Sequence, residues 1–159
     1  MRADDGAGRT EGFEVATGDG GLPAGSPRDR ETAVRSAFEG LRQIRRLMNT
    51  GTAAPHEVPA AWERHRPVRA VALALEAAGI PPSAVGTDGG RVATGYRVRA
   101  ADQAGAVRVD WLGPPGSGAA YAAQDELSKC AAVLRRLGWE ALEYRGPRGR
   151  RYLEVEPAV

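Results

Sequence analysis

Apolar positions recur at a helical period through the first half of the chain and at a period of two through the second. Between residues 28 and 48, Val34, Ala37, Phe38, Leu41, Ile44 and Met48 form one stripe. Arg30, Glu31, Arg35, Glu39, Arg42, Arg45 and Arg46 fall on the opposite side, which is the pattern of an amphipathic helix. Ser26 suits its N-cap and Pro27 its first position, and Asn49-Thr50-Gly51 supplies its stop. Val58-Pro59 opens a short helical piece carrying Trp62. Pro67 opens a third helix with Val68, Val71, Ala72 and Leu75 inward, and Gly79 followed by Ile80-Pro81-Pro82 ends it.

The period changes near Gly90. Tyr96, Val98 and Ala100 alternate with Arg97 and Arg99, then Val107, Val109 and Trp111 alternate with Arg108 and Asp110. That predicts a hairpin with one apolar face and one charged face. A Gly/Pro loop over 113–118 leads into a helix with the stripe Ala123, Leu127, Cys130, Ala131, Leu134 and Leu137, closed by Gly138. A second hairpin is expected from Ala141–Arg145 and Arg151–Glu156. The expected fold is α+β: N-terminal helices over 26–80, then a ββαββ unit over 91–156. Its sheet is four-stranded and mostly antiparallel, with helices on one face.

Composition changes this picture at the N-terminus. Residues 1–25 are rich in Gly, Asp and Ala, and Phe13, Val15 and Leu22 are their only sizeable apolar groups. Such a segment cannot offset its ordering entropy, so a disordered tail with a short extended piece at 12–16 is expected, followed by a single domain over 26–159. The tail holds two arginines against five acids, and the remainder holds 20 cations against 15 anions, or +5. Of the 22 cations only Lys129 is a lysine, and Ile and Asn are nearly absent. High-GC coding therefore accounts for part of the arginine content. No run suits a signal peptide or a membrane span, so a cytoplasmic protein without membrane association is expected.

Candidate catalytic chemistry is thin. The single cysteine excludes an intramolecular disulfide and a cysteine-based zinc cluster. Gly113-Pro114-Pro115-Gly116-Ser117-Gly118 has the glycine spacing of a phosphate-binding P-loop. Ala119 and Ala120 stand where its lysine and hydroxyl belong, and Tyr121 stands where a dinucleotide fingerprint needs its third glycine. A plain strand-to-helix connection is the expected role. His56 lies in a loop, His65 lies between Arg64 and Arg66, and Cys130 lies on an apolar stripe. With no nucleophile–base pair and no metal-ligand spacing, the expectation is a non-enzyme without catalytic residue, metal, cofactor or small-molecule ligand.

The densest local feature is Arg145-Gly146-Pro147-Arg148-Gly149-Arg150-Arg151, which puts four guanidinium groups and no acid into seven residues. Arginine forks suit phosphate oxygens. The hairpin resembles the wing of a winged-helix module in general shape, although a hairpin and not a helix pair precedes the last helix. The leading expectation is a small accessory or regulatory protein contacting nucleic acid through this tip. Arg148, Arg150 and Arg151 would meet phosphates, with Arg145 at the base. Lys129, Arg135 and Arg136 are expected as a flanking shelf on the preceding helix. The alternative is an adaptor that binds a protein through the open sheet face with Arg97, Arg99, Arg108, Tyr152 and Glu154. From Tyr121 through Leu134, Gly138-Trp139 and Arg151-Tyr152-Leu153-Glu154-Val155, the last third resembles small uncharacterised domains of high-GC bacteria and their plasmids or phages. The resemblance implies a cytoplasmic accessory protein of mobile-element origin.

Overall fold

Ser26 begins the first helix of the computed structural model, which describes residues 13–158. Its hydroxyl accepts the Asp29 amide at 3.1 Å, and Pro27 occupies the first helical position. Helix α1 spans Pro27–Met48, α2 spans Ala61–His65 and α3 spans Pro67–Ala77. Gly79 at φ 88° turns the chain out of α3, and the Ile80 amide folds back to the Leu75 carbonyl at 3.1 Å. Both expected stop signals of α3 are therefore used as the sequence places them.

Six strands follow. Strands β1 (Ala84–Val85) and β2 (Arg91–Ala93) make a small antiparallel ladder that the alternation had not marked. Strands β3 (Gly95–Ala100) and β4 (Val107–Leu112) form the first long hairpin. Helix α4 (Ala119–Arg136) then crosses the sheet to β5 (Trp139–Arg145), and β6 (Arg151–Pro157) returns between β4 and β5. The four-stranded sheet has the order β3-β4-β6-β5 and is antiparallel throughout, so the α+β expectation holds.

The inward face of that sheet carries Tyr96, Val98, Val107, Val109, Trp139, Ala141, Leu153 and Val155, all buried against α3 and α4. Leu127, Cys130 and Leu134 reach down from α4, and Val71 and Leu75 from α3. A second, smaller cluster of Val34, Leu41 and Leu73 joins α1 to α3, and Arg30 clamps the same pair of helices through a two-point contact with Glu76 at 2.9 and 2.8 Å. No helix among the described residues is long and apolar enough to cross a membrane.

Two expectations are corrected by this arrangement. Residues 13–25, expected as part of a disordered tail, lie against the fold. Thr17 O accepts the Val98 amide on the free edge of β3, Gly20 O accepts the Val85 amide, and Ala16 O accepts the Tyr96 hydroxyl. The sheet edge supplies backbone partners that composition alone could not reveal. The rest of that expectation, residues 1–12, lies outside the described residues.

Arg45, expected on the wet side of α1, is 1% exposed. Its guanidinium meets Glu63 at 2.7 and 2.8 Å and donates to the His56 carbonyl at 2.7 Å. Ile44 and Met48 face outward instead. The stripe rotates because α2 and its preceding loop cover the last turns of α1 on the side that holds Arg45. On β5, Leu142 and Tyr144 project to the open face, since Ala141 pairs with Val155 on the inward side.

Candidate nucleic-acid interface

A hairpin loop of five residues joins β5 to β6, and its conformation is unusual. Arg148 is the only non-glycine among the described residues with positive φ, at φ 63° and ψ 22°, and Gly149 follows at φ 72°. The Arg150 amide closes back on the Pro147 carbonyl at 3.3 Å. Two successive left-handed residues inside one such closure make a type I′ turn, whose first central position normally holds Asn, Asp or Gly. An arginine there costs on the order of 1–2 kcal/mol.

The turn carries its arginines to one end of the molecule. Arg145 and Arg151 pair across the ladder at the base of the tip, while Arg148 and Arg150 are exposed beyond them. None of the four makes an ion pair with an acid of the described residues. Lone guanidinium groups crowded this closely raise the local potential and favour an anion between them.

Helix α4 decides what lies opposite. The strand β5 runs back antiparallel to α4, so the tip returns to the N-terminal end of that helix. There a cleft of about 390 Å³ opens between Arg148, Arg150 and Arg151 on one wall and the 113–118 loop with Ala119 and Ala120 on the other. The loop is held in place where Gly113 packs without a side chain against Thr94 and Ser117. Gly118, left-handed at φ 78°, caps α4 without a side-chain hydrogen bond, and the Ser117 hydroxyl accepts the Ala119 amide at 3.3 Å. The remaining first-turn amides of α4 have no intrahelical acceptor and aim the positive end of the helix dipole toward this end. The plain connection expected of this loop is thus also one wall of the arginine cleft. Sequence spacing could not find it, because strand β5 and the helix separate loop and tip by some thirty residues.

The flanking shelf expected from α4 is not there. Arg135 and Arg136 lie in the last turn of the 18-residue helix, about 24 Å from its first turn at 1.5 Å per residue. Arg135 instead donates to the Ala141 carbonyl at 2.6 Å. Lys129, midway along, lies 3.4 Å from Glu126. The helix runs away from the tip, so its C-terminal cations belong to the opposite end of the molecule.

The open sheet face is built differently. Arg97, Arg99 and Arg108 all converge on Asp110, at 2.8, 3.8 and 3.0 Å. Asp110 is itself 5% exposed, and Asp19 adds a second acid 2.7 Å from Arg91 and 3.8 Å from Arg97. Tyr152 lies under the Arg108 guanidinium, 3.8 Å from its ring centre, and stacks on Tyr144 at 5.6 Å. Glu154 faces Arg108 across the β4–β6 ladder. These arginines already have carboxylate or aromatic partners within the chain. Among the described residues, the tip arginines do not.

No family model, no curated protein and no solved structure matches this chain.

Proposed function

We propose that the chain binds nucleic acid through the arginine tip, without chemistry of its own, as an accessory or regulatory protein. The observation that carries this reading is the contrast in charge pairing. Arg145, Arg148, Arg150 and Arg151 stand together with no acidic partner among the described residues, whereas every arginine of the open face is paired. An unpaired cluster gains most from a polyanion, because releasing condensed counterions supplies binding free energy that does not depend on sequence. The strain at Arg148 supports the same reading, since a costly backbone conformation at an exposed arginine fits a position retained for a contact. Base readout has no comparable support. The expected behaviour is therefore affinity across unrelated sequences, weakened by salt.

The protein-adaptor reading rests on Leu142 and Tyr144, exposed side by side with Tyr152 on the open face. A single experiment separates the two. Retention of the protein on unrelated DNA and RNA at low salt is compared for the wild type, a variant with all four tip arginines changed to Ala, and an open-face pair, Arg99→Ala with Tyr144→Ser. Loss in the tip variant with retention in the open-face pair is the expected result. The reverse pattern would place the nucleic-acid contact on the open face, and no retention of the wild type leaves the adaptor reading; either overturns the proposal.

A further inference from the structure

The cleft has a chemistry narrower than the tip as a whole, and what it implies rests on the nucleic-acid reading above. Arg148, Arg150 and Arg151 line one wall, and the other wall is the loop and first turn that open α4. The acid at its edge, Asp110, has both carboxylate oxygens engaged by Arg97 and Arg108. Trp111 also lines the cleft, is 8% exposed, and has an indole N–H with no acceptor among the described residues. An arginine cluster and a helix start thus border one half-open cleft whose one acidic side chain is already engaged.

Such a set discriminates between kinds of phosphate. An internal phosphodiester carries one negative charge and must pass its chain both into and out of the site. A phosphomonoester carries about 1.5 to 2 negative charges near neutral pH, offers three terminal oxygens and enters from one side. The three-arginine wall matches the higher charge and the forked geometry of those oxygens. Tyr121 is 96% exposed in the first turn of α4, next to Ala120 of the cleft wall.

We propose that this cleft is an end-recognition site that holds the terminal phosphomonoester of a nucleic-acid strand, while Arg145 contributes only general attraction.

The test uses the full chain and one short single-stranded oligonucleotide in three forms: 5′-phosphate, 3′-phosphate, and hydroxyl at both ends. Fluorescence anisotropy should show one phosphorylated form binding about tenfold more tightly than the hydroxyl form. Inorganic phosphate should erase that preference. Arg151→Ala should erase it too, and so should Arg148→Asn, a variant chosen because it suits the turn and keeps the fold. Arg145→Ala should weaken all three forms alike. Preference for either end supports the proposal and says which end enters. Equal affinity for all three forms overturns it and leaves binding through the tip intact. Failure of every form to bind at low salt overturns both.

Discussion

Arg148 holds a conformation that a bulky L-residue adopts only when its surroundings impose it. The residue before Gly149 in a type I′ turn is where Asn is favoured, so Arg148→Asn should raise stability by about 0.5–1 kcal/mol while lowering affinity for nucleic acid. Denaturant unfolding and binding measured on the same sample test both halves. A destabilised variant would show that the side chain, and not the turn, holds the tip together. Cys130 makes the opposite kind of statement. It is fully buried in the core, and burial pushes its thiol up to about 12. The native chain therefore keeps a proton that the unfolded chain releases from about pH 9. Stability is full below that pH and falls as the pH rises toward 12, with Tyr96, also pushed up by burial, adding to the loss at the alkaline end. Thermal midpoints should drop over this window, and Cys130→Ala should flatten the drop. Parallel slopes for the two proteins would contradict the assignment, as would fast labelling of native Cys130 by a thiol reagent.

At the scale of elements, the Arg45–Glu63 pair ties α1 to α2, with both groups 1% exposed. Glu63→Gln leaves the guanidinium buried without its counter-charge and should cost about 3–5 kcal/mol by chemical denaturation. The exposed Glu31–Arg35 pair, at 3.8 Å, should cost less than about 0.5 kcal/mol when broken. Equal costs would show that the buried pair is not a latch. These two pairs also mark what could be read from the sequence. Period and caps located α1, α3, α4 and the two long hairpins, because Ser26, Pro67, Gly79 and Gly138 act locally and hydrophobic alternation is a property of one strand at a time. The rotation of α1 that buries Arg45 depends on what packs against it, and periodicity carries no such information. The same holds for residues 13–25, whose partner is a strand edge some eighty residues away. The direction of α4 likewise separates Arg135 and Arg136 from the tip, and the meeting of tip and 113–118 loop follows from topology. The four tip arginines themselves were legible, since their density is local.

At the scale of the molecule, two arginine-rich regions differ in character. The open face gathers Arg91, Arg97, Arg99 and Arg108 around Asp19 and Asp110, so that each guanidinium has a carboxylate close by. The tip gathers four arginines at the far end of the second hairpin, beside the start of α4, with no acid among the described residues paired to them. Net charge alone, at a formal +2, would not predict attraction to a polyanion. The separation does, because screening near physiological salt confines each region to its own neighbourhood of about 8 Å. The most direct measurement is therefore the dependence of affinity for one single-stranded oligonucleotide on salt. If about four phosphate contacts are made at the tip, log K should fall against log salt with a slope of about −3. Replacing all four tip arginines with Ala should bring that slope close to zero, with the unfolding transition preserved. A slope that survives the substitution, or a wild-type protein that does not bind at low salt, would contradict binding through the tip.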